Sequence, residues 1–194
     1  AIVDMMSREK CESYVGCVFR FLPGLRELHD EYQKNPRKIT SVRAVCRSWL
    51  PDWQPGRDYQ KSFRADAAQS GGVHLELIHE LDYVTWIFGN PQKRTVELRE
   101  VPELNITAPA EAHYELTYPD FSATIDLSYA SKTRERFLEV IFTDGSQTRV
   151  EVITSDDLYT AQLQHVLACI AGKETSIHTA EDALQTLKLA LPEA

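Results

Sequence analysis

The sequence predicts an α+β domain in which antiparallel strands with one covered face are followed by helices. Three observations predict it. Several segments between Thr95 and Ile153 alternate apolar and polar residues, the period of a half-buried strand. Segments before and after that region carry apolar residues three and four apart, the period of an amphipathic helix. Strands are grouped rather than alternating with helices, and Gly71-Gly72 alone is neither a dinucleotide nor a phosphate motif.

Taken in order, residues 1–13 are mixed and read as helical. Tyr14 to Phe21 is rich in β-branched and aromatic residues and reads as a strand. Pro23 suits the first turn of a helix, whose apolar side is Leu25, Leu28, His29 and Tyr32, and Asn35-Pro36 ends it. Ile39 to Trp49 reads as a second strand. Leu50 to Tyr59 holds two prolines, a glycine and two aromatics with no regular period, the character of an ordered functional loop. A polar stretch from Gln60 to Gln69 follows.

Gly71 to Gly89 reads as one helix. Leu77, Leu81, Val84 and Phe88 form its apolar stripe. At about 100° per residue Glu76, His79 and Tyr83 fall together on the other side, with Asp82 at the edge. An acid, an imidazole and a phenol grouped opposite a buried stripe mark this helix for chemistry. Strands are then expected at Thr95–Val101, Ala112–Tyr118, Phe121–Tyr129, Phe137–Phe142 and Thr148–Ile153, the last two joined by an Asp144-Gly145-Ser146 hairpin turn. Two helices close the chain. Ser155 caps the first, with Tyr159, Leu163, Val166, Leu167 and Ile170 inward and Gly172 as the stop. Thr179 caps the second, with Ala180, Ala183, Leu184, Leu187 and Leu191 inward.

Composition excludes several classes. At 194 residues the chain is one ordinary domain, or one domain with an appendage. A hydrophobic fraction of 43% with 26% charged residues is that of a globular protein, and the net charge of -8 with no basic stripe argues against nucleic acid. No apolar run approaches membrane-spanning length, and the first residues lack the basic and apolar regions of a signal peptide, so a cytoplasmic location is expected. Cys11, Cys17, Cys46 and Cys169 show no paired or zinc spacing and are expected to be reduced and mostly buried. His74, His113, His165 and His178 show no ligand spacing either, so no metal is expected. Asn105-Ile106-Thr107 fits a glycosylation sequon and is given no weight without a secretion signal. A chain that starts without Met, inside a helix-like segment, is expected to be a fragment of something longer.

Arg20-Phe21-Leu22-Pro23, then Leu50-Pro51-Asp52-Trp53 with Tyr59, then Gly71-Gly72, His79-Glu80-Leu81-Asp82-Tyr83, Trp86 and Gly89, and later Asp144-Gly145, resemble the Gfo/Idh/MocA oxidoreductases. These are the relatives of glucose–fructose oxidoreductase and inositol dehydrogenase. The resemblance runs from about Tyr14 to the C-terminus. It implies a C-terminal domain with a large, mostly antiparallel sheet, helices packed on one face, and an open face that often makes the oligomer. Residues 1–22 would be the end of a dinucleotide-binding domain that is otherwise missing, and 23–194 the substrate-binding and oligomerising domain. The full-length parent would use NAD or NADP on a sugar, cyclitol or related polyol, whereas no cofactor is expected on this chain alone. The family's three glycines before the helix are here Ser70, Gly71 and Gly72. Its acid ahead of the histidine is usually Asp; Glu76 stands three residues before His79, and Leu75 occupies the four-residue spacing.

His79 is the candidate general acid/base, because imidazole titrates near neutrality and oxidising an alcohol requires removal of a proton. Glu76 is its candidate helper. Arg57, Tyr59, Lys61 and Arg64 around the proline-rich loop offer donors and an aromatic face to a polyol or an anionic sugar. Asp82 and Arg20 complete the candidate set. Each is equally a residue type that pairs within a structure, Asp82 with an arginine and Arg20 with an acid. The rival reading is a non-catalytic dimerisation or sensing module of the same fold.

Overall fold

Alternation in the middle of the chain builds a six-stranded sheet. In the computed structural model, which describes residues 2–9 and 11–192, the strands are β1 (Ile39–Trp49), β2 (Lys93–Arg99), β3 (Glu111–Thr117), β4 (Ser122–Ser128), β5 (Ala130–Phe142) and β6 (Gln147–Glu151). Their spatial order is β2-β3-β4-β1-β5-β6. Every pairing is antiparallel except β1 with β4, which is parallel. The mostly antiparallel sheet expected from the sequence is therefore present. The Asp144 turn works as expected: Gly145 takes φ 83°, its N–H donates to the Phe142 carbonyl, and Ser146 accepts from the Phe142 N–H. Glycine is the residue that adopts this φ without strain.

Strand parity sorts the two faces. Val42, Ala44 and Cys46 of β1, Ala112, Tyr114 and Leu116 of β3, Ala123, Ile125 and Leu127 of β4, and Leu138, Val140 and Phe142 of β5 are buried in the main core. The opposite face carries Arg43 and Arg47, His113 and Asp126, Glu97 and Arg99, and Glu139 and Arg149. An open depression of about 740 Å³ on that face is lined in part by Arg47, Arg99, Glu111, His113 and Asp126.

The helices are α1 (Ile2–Glu9), α2 (Pro23–Lys34), α3 (Val73–Glu76), α4 (His79–Phe88), α5 (Asp156–Ile170) and α6 (Ala180–Ala190). The expected helix over residues 1–13 is shorter, and its Ala1 and Lys10 lie outside the described residues. Helix α4 packs on β1, α2 and α6. Leu81, Val84 and Ile87 are fully buried there, and burying one such side chain stabilises the fold by about 1.5–3 kcal/mol.

Four expectations are corrected. Tyr14–Phe21 is not a strand. Its end, Val18–Phe21, is a 3₁₀ turn with all four residues buried in a row, and the aromatic content that imitated a strand serves that burial. Helix α5 turns Leu158 and His165 inward and leaves Tyr159, Leu163, Leu167 and Ile170 exposed. In α6, Thr186 and Ala190 are inward, while Leu187 and Leu191 are exposed. Both helices are rotated from the reading by hydrophobicity alone, because small and hydrogen-bonding side chains make their close contacts. The Tyr114 hydroxyl, for instance, donates to the Ala190 carbonyl at 2.9 Å. Ser155 stands at the start of α5, but its hydroxyl makes no capping bond. Thr179 does cap α6, in a reciprocal box with Asp182.

Candidate active site

The glycine pair has a steric origin. A Cβ at Gly71 would meet the Phe63 carbonyl oxygen at 2.2 Å and the Arg64 and Asp66 carbonyls at 2.8 and 2.7 Å. The Gly71 and Gly72 N–H groups donate to Asp66 and Arg64, so the polar stretch before them folds back as short 3₁₀ turns onto a bare backbone. Gly72 then takes φ 127°, and Ser70 before it is left-handed at φ 59°, a conformation for which glycine is the easier residue.

The helix that follows is broken. Leu77, at φ −102° and ψ 36°, ends α3, and α4 starts afresh at His79. The expected face of Glu76, His79 and Tyr83 therefore does not exist. Tyr83 is fully buried within the core. Glu76 turns to the preceding segment, where Arg64 Nε donates to its carboxylate at 2.6 Å.

His79 opens α4. Its ring meets Phe19 edge-on, with centroids 5.3 Å apart, and its Nδ1 is buried with no hydrogen-bond partner. Burial lowers its pKa. The Arg136 charge adds to that, and the Glu80, Asp82 and Glu76 charges oppose it. The ring is thus neutral near pH 7 and able to take a proton from a hydroxyl brought to it. Glu80, next along the helix, is fully buried. Arg136 of β5 donates to both its oxygens, Nε at 2.7 Å and Nη2 at 3.0 Å, while the Arg136 guanidinium lies 4.2 Å from the Phe19 ring centroid. Glu80 and Arg136 are not among the residues that the sequence pattern singles out. Their signal was present: Glu80 is an acid within reach of the Leu77–Val84 stripe, and Arg136 shares the parity of Leu138 and Val140.

The remaining candidates divide. Arg20 and Asp82 come together: Nη2 to Oδ1 is 2.7 Å and Nε to Oδ2 is 3.1 Å, and both residues are buried. Arg20 also donates to the Ile177 carbonyl. The Tyr59 hydroxyl donates to the Leu104 carbonyl at 3.0 Å. Lys61 is exposed beside Asp58 at 3.2 Å, and Arg57 is exposed. Among the loop candidates, Arg64 is the one tied to the α3 segment.

His178 joins the Arg20–Asp82 pair across 96 residues, its Nε2 3.3 Å from Asp82 Oδ1 and its Nδ1 3.0 Å from the Val15 carbonyl. Cys17 completes a buried trio with Asp82 and His178 whose ligand atoms lie within 4.8 Å of one another. Separations of 65 and 96 residues hid this grouping from any spacing argument. The trio is the metal-type grouping among the described residues, and the Arg20 guanidinium already supplies the positive charge beside the carboxylate. Burial and the Asp82 charge push the Cys17 thiol far up.

His74, His79 and His178 all have pKa values lowered from 6.5, chiefly by burial. The unfolded chain therefore takes protons that the folded chain refuses. Stability is complete above about pH 6.5 and falls as the pH drops through that value toward the folded pKa values, by up to about 1.4 kcal/mol per pH unit for each site. Urea denaturation at pH 7.5, 6.5 and 5.5 should show this decline, and an unchanged stability over that range would contradict it.

Cys11 is exposed and Cys169 partly so, while Cys17 and Cys46 are buried, and all four are free thiols. No described helix is long and apolar enough to cross a membrane.

The same arrangement of sheet and helices occurs in solved dehydrogenases. The WlbA dehydrogenase from Bordetella pertussis, in complex with NADH and UDP-GlcNAcA, superposes with a TM-score of 0.76 at 14% identity over 96% of this chain and 61% of its own. Scyllo-inositol dehydrogenase from Lactobacillus casei, with bound NAD(H) and scyllo-inositol, gives 0.75 at 17% identity over 96% and 63%. A myo-inositol dehydrogenase from Corynebacterium glutamicum gives 0.70 at 18% identity over 91% and 60%. At such identities the likeness is one of fold, and this chain spans about three fifths of the length of those proteins. No curated protein matches by sequence. The sequence model of the family described as GFO/IDH/MocA C-terminal domain matches residues 38–148, more than half of the chain, and the chain belongs to that family.

Proposed function

We propose that this chain is the substrate-binding and oligomerising domain of an NAD(P)-dependent oxidoreductase acting on a sugar, cyclitol or related polyol, with His79 as its proton-transfer residue. The observation that carries the reading is the half-buried imidazole of His79, which makes no hydrogen bond and whose Nε2 is not closed off as its Nδ1 is. A neutral imidazole held by Phe19 and flanked by a completed Glu80–Arg136 pair keeps Nε2 for a ligand hydroxyl. Polyol and nucleotide-sugar ligands named for the structural neighbours support the substrate class.

A nicotinamide would accept the hydride from the carbinol carbon. Among the described residues no glycine-rich strand-to-helix turn offers a pyrophosphate cradle, so what these residues handle is the proton and the hydroxyls. His79 takes the hydroxyl proton as the carbonyl forms. Arg64 and Glu76 orient neighbouring hydroxyls as a donor–acceptor pair. The isolated chain would bind polyol weakly and turn nothing over. For assembly, the open sheet face supports a second copy: Arg43 and Arg47 each approach Asp126 at 3.6 Å, and His113 reaches it at 2.8 Å. Sedimentation analysis should find a dimer or larger species, and a strict monomer would count against this surface.

In the full-length parent, His79→Ala should lower kcat with the accepted polyol about a hundredfold, with a smaller change in KM. Unchanged turnover would favour a non-catalytic dimerisation or sensing module. The capture of Glu76 by Arg64 is the feature that favours that second reading.

A further inference from the structure

Helix α5 carries a second constellation, remote in sequence from α3 and α4. Cys169 Sγ lies 3.4 Å from Nε2 of His165, one turn earlier on the same helix. His165 Nδ1 lies 2.6 Å from a Glu174 carboxylate oxygen. The Ile177 backbone N–H points at Nε2 from 3.3 Å. Those partners fix the tautomer: Nδ1 carries the hydrogen and donates to Glu174, and Nε2 is the unprotonated nitrogen, which accepts from the Ile177 N–H and faces the thiol. His165 is buried against Tyr14 and Phe21, at centroid distances of 5.7 and 5.6 Å, whereas Cys169 is partly exposed. A thiol, a base and an acid that orients the base stand in line, with Cys169 partly exposed.

We propose that Cys169 is a thiol–disulfide exchange site, with His165 as its base and Glu174 as the positioning residue, and that it takes small disulfides without negative charge. The exchange balances without another reactant. The Cys169 S–H bond breaks and its proton passes to His165 Nε2, where it displaces the Ile177 N–H from the lone pair. Cys169 Sγ bonds to one sulfur of the disulfide, and the old S–S bond leaves its electron pair on the other sulfur. That thiolate takes the proton back from His165. Cys169 ends as a mixed disulfide and the leaving half as a thiol.

The charges around Cys169 set both the need for a base and the choice of partner. Partial burial and the carboxylates of Glu174 and, from the N-terminal segment, Glu12 push its pKa up. It therefore rests as a thiol and relies on His165 at the moment of attack. Tyr14, the other titratable group facing it, is itself pushed up to about 12 and stays neutral. The two carboxylates repel anionic disulfides.

The test uses this chain with bis(2-hydroxyethyl) disulfide, an uncharged probe, and follows each cysteine by peptide mass spectrometry. Exposed Cys11 is the internal reference. Buried Cys17 and Cys46 report unfolding, because they are labelled only when the fold opens. Cys169 should react about tenfold faster than Cys11 at pH 7.5, and glutathione disulfide, which is anionic, should narrow that ratio. Glu174→Gln is decisive because two roles predict opposite signs. If Glu174 were only a nearby negative charge, its removal would ease thiolate formation and speed Cys169. As the positioning residue, its loss should slow Cys169 about tenfold and leave Cys11 unchanged. A Cys169 rate no greater than that of Cys11 in the unaltered chain, or an unchanged or faster rate in Glu174→Gln with Cys17 and Cys46 still protected, overturns the proposal. Should the variant unfold, the Cys169 to Cys11 ratio of the unaltered chain decides alone.

Discussion

Asp82→Ala is expected to lower folding stability by about 3–5 kcal/mol. Both side chains of the Arg20–Asp82 pair are almost wholly inside, at 6% and 2% exposure. Removing the carboxylate leaves the guanidinium among Trp86, whose ring centroid lies 5.5 Å from its central carbon, the Ile177 carbonyl and the His178 ring. The carbonyl remains as a partner but carries no charge. The loss is large against the roughly 5–15 kcal/mol that holds a domain folded. It also frees three chain segments from one another, since Arg20 belongs to the buried 3₁₀ turn, Asp82 to α4, and Ile177 and His178 to the stretch before α6. The control is a pair of substitutions. Arg20→Met with Asp82→Leu removes both charges at similar volume and should recover most of the stability, because a well-packed apolar pair often equals a buried ion pair. Urea denaturation of the two variants reads the difference directly. A cost below about 1 kcal/mol for Asp82→Ala would show that water reaches the pair.

The sheet was legible because strand parity is a local signal. Alternation found each of β2 to β6, though only the second half of β5, from Phe137. The Asp144-Gly145-Ser146 turn was found by its chemistry. Helix faces were less legible. Hydrophobicity placed Leu163, Leu167 and Ile170 inside α5, yet the buried positions are Leu158 and His165, and no local rule says that an imidazole outranks a leucine for a place in the core. The break at Leu77 has no residue signature either. Neither proline nor glycine marks it, and a continuous hydrophobic stripe crosses it. It arises because α3 is held by the Gly72 turn and by the Val73 N–H bond to the Pro109 carbonyl, while α4 is fixed independently by Glu80 and Asp82. In the candidate site, His79 was legible as a candidate, and Arg20 and Asp82 were each read as residues that pair. That they pair with each other is a contact between residues 62 positions apart, which no spacing argument reaches.

Glu80→Gln tests stability and chemistry together. Glu80 is fully buried, and Arg136 has 22% of its side chain exposed, so the amide leaves a cation with partial access to water. A loss of about 3 kcal/mol is expected, the lower end of the range for breaking a buried pair. The second effect falls on His79. The Glu80 charge raises the His79 pKa and the Arg136 charge lowers it, so the native pair acts on the ring in opposite directions. Neutralising Glu80 leaves the guanidinium unopposed and makes the imidazolium harder to form. The His79 pKa should move further down. For alcohol oxidation by the full-length parent, where His79 must be unprotonated, the acid limb of the kcat/KM profile should shift to lower pH. Arg136→Met should shift it the other way, because the Glu80 carboxylate then stands alone beside the ring. A merely structural role for Glu80 predicts lower stability in both variants and no opposition between their profiles. Two acid limbs that move together, or that do not move, would remove His79 from the proton path.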